Sequence, residues 1–229
     1  MTILFLAAVI PPLFLIKKIY DLDKIEKEPA GLLIKLFFLG VLMVVFAGML
    51  ETVGLNLLGG ILMKGSLAYQ LVEYFIVVAL VEEGLKHFAL KHGSWNDPAF
   101  DYRFDAVVYS TVVALGFAAA ENIGYVFSYG LAVSGVRAVT AIPGHCVFGI
   151  YMGYYYGMAK YHFDMGRRTM CRFYQWISIL MPVLLHGFYD FCASSRSTTL
   201  ILAFYVYIIL LDIIAFNQIR RFSREDQRI

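Results

Sequence analysis

Two adjacent glutamates, Glu82 and Glu83, are the residues most able to do chemistry, and they lie in an apolar segment that begins near Leu67. Lys86 follows Glu82 by four residues and His87 follows Glu83 by four, so each pair shares a helical face. Because adjacent side chains on a helix project about 100° apart, we expect only one carboxylate to point squarely into a cavity. The other would orient a partner, and Lys86 would offset the excess negative charge.

Further ionisable residues lie within other apolar segments. They are Glu121, which precedes Asn122, then His145, and His186, which is followed by Asp190. Because His186 and Asp190 are four residues apart, the aspartate can fix the tautomer of the imidazole. Ionisable side chains at bilayer depth are costly, and function is their default explanation. We therefore predict one shared functional site. Its members are Glu82, Glu83, Glu121, His145 and His186.

Carboxylates and imidazoles around a small wet cavity support three kinds of chemistry. They can take a proton from water and return it to a leaving amine, which is hydrolysis. They can bind a divalent metal ion: His145 and His186 with Glu82 or Glu121 would form a zinc-type set with an open position. The sequence has no HExxH motif, so the metal hypothesis lacks its most specific signature. They can also relay protons in a transporter.

Composition defines the class of protein that holds this site. Of the 229 residues, 60% are hydrophobic and 16% are charged, whereas soluble domains have about 25% charged residues. The chain is therefore expected to be a polytopic membrane protein with the lipid bilayer as a partner. Its net charge of +2 gives no reason to expect nucleic acid as a partner. Its three cysteines form no CxxC pair and indicate neither a disulfide framework nor a thiolate zinc site.

The apolar segments predict an all-α bundle of about seven transmembrane helices, with a range of six to eight, in a single integral membrane domain over residues 1–229. The helices are placed at about 1–16, 32–58, 67–90, 105–129, 138–160, 173–193 and 200–216. The segments expected to connect them include 20–29, 91–103, 130–137 and 160–172. The first segment has neither a positive start nor a cleavage site, so it is expected to be a retained helix.

Lysines and arginines predict the orientation of this bundle. Most of those in the connections lie on one side, and only Lys64, Arg137 and Arg196 lie on the other. Positive loops stay in the cytoplasm, so the N-terminus is expected outside and the C-terminus in the cytoplasm. With this topology the ionisable residues of four helices share a depth at or just outside the midplane, which supports one common site.

Two further patterns concern the helices themselves. Glu51 lies near the far end of the second helix and is predicted to be interfacial, because nothing polar shares its helical face. Gly149, Gly153 and Gly157 recur every four residues after His145, a stripe that lets membrane helices approach closely.

Four blocks of this sequence resemble those of the PrsW family of bacterial intramembrane proteases. The blocks are VEEGLKHF (81–88), LGFAAAENIGYV (115–126), VRAVTAIPGHCVFGIYMGYYYGMAK (136–160) and LLHGFYDF (184–191). Their order and spacing match as well, and so does the Glu28-Pro29 step, so the resemblance spans most of the chain. On this resemblance the family's EExxK block corresponds to Glu82, Glu83 and Lys86. Its glutamate-asparagine and two histidine blocks correspond to Glu121, Asn122, His145 and His186.

The resemblance implies a multi-pass protease of the bacterial cell membrane. It would make the site-1 cut of a single-pass anti-sigma factor on the extracytoplasmic side, and so start a stress response. PrsW proteins are distantly similar to CAAX prenyl endopeptidases, in which a glutamate and a histidine activate water without an established need for metal. PrsW proteins are nevertheless often called metalloproteases, so Zn²⁺ stays open as a cofactor.

In the hydrolytic hypothesis, Glu82 or Glu83 acts with Glu121 to orient and deprotonate a water molecule. His145 and His186 stabilise the developing oxyanion or bind a zinc ion. The substrate helix must enter laterally and unwind before its peptide bond is accessible.

Two other functions stay open on the residues alone. A proton- or cation-coupled transporter predicts flux across vesicles and no peptide product, although the chain lacks the paired broken helices of many transporters. A structural or scaffold role predicts that neutralising Glu82 and Glu83 leaves the activity of the host pathway unchanged.

Overall fold

Nine α-helices and their short connections make up the part of the chain that the structure describes, a computed structural model of residues 1–195 and 197–229. The helices are α1 (Thr2–Leu22), α2 (Ala30–Ile61), α3 (Leu67–Val72), α4 (Leu80–Ser94), α5 (Asp105–Tyr129), α6 (Leu131–Val139), α7 (Ala141–Asp164), α8 (Arg168–Ala193) and α9 (Thr198–Arg224). A π-helical segment, Glu73–Ala79, joins α3 to α4 without a break.

Six segments are long and apolar enough to cross a bilayer. They are α1, α2, α5, the pair α6 and α7, α8, and α9. The continuous helical stretch from α3 to α4, which carries the glutamate pair, is a seventh long helix and is not among these six. The prediction of an all-α bundle of about seven membrane helices is therefore confirmed. Its orientation in the bilayer stays a prediction, and Arg196, one of the residues on which that prediction rests, lies outside the described residues.

Several predicted helix ends are wrong, because the helices continue after their apolar segments end. Helix α1 extends past residue 16 to Leu22, and Lys17 pairs with Asp21 at 2.7 Å on its exposed side. Helix α9 extends past residue 216 to Arg224, and Arg221 pairs with Glu225 at 2.9 Å. Charged pairs four residues apart stabilise a helix in water. Hydropathy therefore marks where these helices leave the apolar zone, and not where they end.

All four predicted connections are partly helical. Segment 130–137 lies mostly in α6, and segment 160–172 contains the end of α7 and the start of α8. Segments 20–29 and 91–103 contain the last residues of α1 and α4. The turns that remain are sharp. Gly130, with φ of 85°, ends α5, and Gly166, with φ of 73°, separates α7 from α8.

Helix α5 is the centre of the bundle. Its residues are buried almost without interruption through its first four turns, and it packs against α1, α2, α4 and α7. The predicted glycine stripe of α7 faces it. A Cβ atom at Gly153 would lie 2.5 Å from the carbonyl oxygen of Ala106, so only glycine allows this approach. The expected role of the stripe in packing is confirmed.

Helix α8 reaches the π-helical segment at Gly187. A Cβ atom there would lie 2.5 Å from Phe75 Cδ1. The missing side chain lets the two helices approach closely and brings the neighbouring His186 against Glu83.

Candidate active site

The centre of the predicted site is the Lys86 ammonium, which is fully buried. It donates hydrogen bonds to Glu82 Oε2 at 2.9 Å and to Glu83 Oε1 at 2.8 Å, and it lies 3.2 Å from His145 Nδ1. An ammonium group has three donors and no lone pair, so His145 Nδ1 must be an acceptor. The proton of this imidazole is therefore on Nε2.

The Nε2–H group of His145 donates to Glu121 Oε2 at 3.0 Å. Arg137, on α6, donates from Nη2 to the same oxygen at 2.6 Å and from Nε to Asn122 Oδ1 at 3.1 Å. Asn122 in turn donates to the carbonyl oxygen of Ala8. Asn122 thus holds Arg137 and α1 in place. Of the adjacent residues Glu121 and Asn122, only Glu121 lines the cavity described below.

His186 lies between two carboxylates. Its Nδ1 is 2.9 Å from Glu83 Oε1 and its Nε2 is 3.3 Å from Asp190 Oδ2. An imidazolium at this position donates to both. The predicted pairing of Glu83 with His87 is wrong. Glu83 faces Lys86 and His186, whereas His87 packs edge-on against Tyr156 with ring centroids 5.8 Å apart.

Most of the side chains described above border a cavity of about 240 Å³. Its ionisable walls are Glu51, Glu82, Glu121, Arg137, His145, His186 and Asp190, and its aromatic walls are Tyr74, Tyr125, Phe148 and Tyr189. Liquid water takes about 30 Å³ per molecule, so several water molecules fit. Glu83 and Lys86 do not line the cavity, and they are buried behind the side chains that do. Of the two adjacent carboxylates, Glu82 is the one that meets the cavity, and Glu83 fixes Lys86 and His186.

Two cavity residues were missed or misplaced by the sequence analysis. Glu51, predicted to be interfacial, lines the cavity, and its Oε1 is buried without a hydrogen-bond partner among the residues described. The prediction considered only the residues of its own helix, whereas its polar neighbours come from other helices. The sequence predicts that Arg137 lies in a connection, and no pattern in the sequence indicates its contact with Glu121.

A group of three potential metal ligands is present in this cluster. Ligand atoms of Glu82, Glu83 and His145 lie within 4.8 Å of one another, and these residue types suit a divalent ion such as Zn²⁺. The set differs from the predicted one, because Glu83 takes the place of His186. All three residues are hydrogen-bonded to Lys86. A metal ion bound by them would have to displace the ammonium.

Comparison with known proteins gives the family. A model described as PrsW family intramembrane metalloprotease matches residues 28–215, which include every residue of the cluster. The chain belongs to the PrsW family. Protease PrsW of Clostridioides difficile is 35% identical over 99% of this chain and 94% of its own length. Protease PrsW of Oceanobacillus iheyensis is 34% identical over 94% of each chain, and that of Bacillus subtilis is 32% identical over 83% of each. No solved structure shows significant similarity.

Membership of the PrsW family makes this chain an intramembrane protease, and so a hydrolase. Together with the six membrane-spanning segments, it identifies a multi-pass bacterial membrane protein. It favours hydrolysis over the transporter and scaffold hypotheses. The family description and the ligand group around Lys86 are compatible with Zn²⁺.

Proposed function

We propose that this chain hydrolyses a peptide bond of a single-pass membrane protein near the extracytoplasmic side of the bilayer, and that this substrate is an anti-sigma factor. The resemblance to PrsW proteases supports the substrate class. The observation that carries the reaction is the cavity. Four residues from four different helical stretches, Glu82, Glu121, His145 and His186, meet around a space large enough for several water molecules.

Glu82 is the general base in this proposal. Its Oε2 accepts from Lys86, and its Oε1 accepts no hydrogen bond within the described part of the chain, so Oε1 is free for water. Glu121 is less suitable because its carboxylate accepts two hydrogen bonds, from Arg137 and His145, whereas that of Glu82 accepts one. Glu121 instead orients His145, which helps to hold Lys86 in place.

The reaction begins when water gives a proton to Glu82 Oε1 as its oxygen attacks the carbonyl carbon of the substrate. The developing oxyanion needs a donor, and the His186 Nε2–H group is suitable because its contact with Asp190, at 3.3 Å, is long and easily exchanged. The C–N bond then breaks, and Glu82 returns the proton to the leaving amine. Two fragments result, and Glu82 is again ionised.

A metal ion would act at a different point of the same cluster. Glu82, Glu83 and His145 would hold it, and bound Zn²⁺ would supply a water molecule of lowered pKa. The proposed steps assign base, acid and oxyanion donor to side chains of the chain, because Lys86 already provides a positive charge among these three ligands.

The test is co-expression, in a heterologous bacterium, with a candidate anti-sigma factor tagged at both ends. We expect a fragment with the wild type and none with Glu82→Gln or His186→Ala. Glu73→Gln is the matched control, since Glu73 belongs to the same continuous helical stretch but does not line the cavity. Full cleavage by both folded site variants would refute the mechanism. Cleavage of other single-pass proteins but no anti-sigma factor would refute only the substrate.

A further inference from the structure

A second group of buried carboxylates lies away from the catalytic cavity. It consists of Asp23, just after α1, Glu28, in the connection to α2, and Asp105, at the start of α5. Ligand atoms of the three lie within 4.8 Å of one another. Their residues are 2%, 5% and 1% exposed, respectively. Three separate parts of the chain therefore bring carboxylates to one buried point.

Hydrogen bonding satisfies two of these side chains and leaves one oxygen of the third without a partner. Asp105 Oδ2 accepts from the backbone N–H groups of Asp101 and Tyr102, at 3.1 and 2.7 Å. Glu28 accepts from the Tyr109 hydroxyl. In contrast, Asp23 Oδ2 is buried and has no partner among residues 1–195 and 197–229. A buried carboxylate oxygen without a partner, in a side chain that converges on two other carboxylates, indicates that a ligand is expected there.

The positively charged side chains nearby are committed elsewhere. The Lys27 ammonium donates to the backbone carbonyl oxygens of Asp23 and Tyr20, not to a carboxylate. Arg103 donates to the carbonyl oxygen of Glu225, and Arg228 pairs with Asp101. Within the described ranges, no lysine, arginine or histidine forms an ion pair with the group. The described residues therefore place no side-chain cation in direct contact with the three carboxylates.

We propose that Asp23, Glu28 and Asp105 bind a divalent cation of the oxygen-preferring class, such as Mg²⁺, Ca²⁺ or Mn²⁺. Carboxylate oxygens are the ligands that these hard cations prefer, and the group offers neither a thiolate nor an imidazole that would favour zinc. The bound cation would join the end of α1 and the connection after it to the start of α5. It is therefore a structural site, separate from the catalytic cluster.

This site changes how metal in the protein should be interpreted. A purified chain that contains a metal ion, or that loses activity in a chelator, could hold that ion at Asp23 and not at Glu83. The two sites are distinguishable because they share no residue.

The first experiment measures metal content in the full-length chain purified in detergent. The protein is equilibrated with Mn²⁺, freed of excess metal, and analysed for metal per chain. We expect about one Mn²⁺ per chain in the wild type and in Glu83→Gln, and at least a tenfold loss in Asp23→Asn. No bound Mn²⁺ in the wild type, or Mn²⁺ that follows Glu83 and not Asp23, would overturn the proposal.

The second experiment measures thermal unfolding in EDTA and in saturating Mg²⁺, Ca²⁺ or Mn²⁺ at matched ionic strength. At about 100 times its Kd a cation should raise the wild-type Tm by roughly 5 °C or more. Asp23→Asn removes an unpaired buried charge, so its Tm should exceed that of the wild type in EDTA and fall below it with the cation. Equal cation responses of the wild type and Asp23→Asn would contradict the site.

Two variants complete the design. Glu26→Gln, at an exposed carboxylate in the same connection, should keep the full wild-type response. Should Asp23→Asn fail to fold, Glu28→Gln tests the same site, and a wild-type cation response in that variant would also refute the proposal.

Discussion

Two buried groups of potential metal ligands occur in the described chain, and they are neutralised differently. In the catalytic cluster, the Lys86 ammonium is hydrogen-bonded to Glu82, Glu83 and His145. In the group of Asp23, Glu28 and Asp105, no side-chain cation of residues 1–195 and 197–229 makes such contacts. Buried carboxylates need a counter-charge in either case when they are ionised. A convergence of ligand atoms therefore identifies a place for positive charge. Whether a lysine or a free cation supplies that charge depends on the side chains around the group.

Removal of Lys86 should have the largest effect, because it makes the two groups alike. Lys86→Met leaves two buried carboxylates without their partner, and breaking a buried pair costs about 3–5 kcal/mol. We expect a much lower Tm, loss of cleavage, and a new rise in Tm on addition of Zn²⁺, since the three ligand atoms become available. Lys160→Met, which breaks a more exposed pair with Asp164, is the control and should change Tm little. Unchanged cleavage by Lys86→Met would refute the central role of the ammonium.

Substitutions of the two adjacent glutamates should differ in their effects on the cleavage rate and on Tm. Glu82→Gln removes the proposed base and should lower the cleavage rate by about 10²–10⁴-fold. Its Tm should fall less than that of Glu83→Gln, because Lys86 keeps its pair with Glu83. Glu83→Gln disturbs the bonds to Lys86 and His186, so it should lower both the rate and Tm. Single-turnover cleavage and thermal unfolding of the same preparations separate the two outcomes. The opposite pattern would make Glu83 the base.

Arg137 should have an intermediate effect on cleavage. Its guanidinium bridges Glu121 and Asn122 in a geometry that a lysine does not reproduce. We expect Arg137→Lys to lower the rate about tenfold, which corresponds to roughly 1.4 kcal/mol of transition-state stabilisation, with an unchanged Mn²⁺ content. A parallel loss of Mn²⁺ would show that the two groups are coupled and not independent.

The smallest expected effect is the pH dependence of stability in the chelated protein. Burial raises the pKa of Asp23 to about 6 and that of Glu28 to about 7. Between about pH 4 and 7 the folded state therefore binds more protons than the unfolded state, and stability falls as pH rises. Thermal unfolding in EDTA should show a falling Tm across this window, and a saturating divalent cation should reduce the fall at its upper end. A Tm that rises across the window in EDTA would contradict the assigned direction.

The number of membrane helices and the residues of the cluster could be predicted, because each depends on a strong local signal. Long apolar segments give the helices, and ionisable residues within them have few roles other than function. The roles within the cluster needed three-dimensional contacts. Only the contacts of Lys86 fix the tautomer of His145, and only the position of the cavity separates Glu82 from Glu83.

Helix ends and the outer members of the site could not be predicted for physical reasons. Pairs such as Lys17 with Asp21 extend helices into water, where hydropathy carries no information. Glu51 and Arg137 acquire their role from residues on other helices, which the periodicity of a single helix cannot show. Asp23 and Glu28 lie in a charged connection that is typical of solvated loops, although the fold buries both.

The π-helical segment before α4 holds one residue that an ordinary helix would not need. A π-helix holds about one more residue per turn than an α-helix, so loss of one residue within 73–79 would restore an ordinary helix. Six α-helical residues turn through roughly 600°, close to the rotation of the seven π-helical ones, so the parts before and after a deletion would face nearly the same directions as before. A deletion after Tyr74 would therefore leave both Tyr74 and the catalytic residues of α4 on the side of the cavity. The segment is thus a place where the chain can lose one residue without exchanging the side chains that line the site.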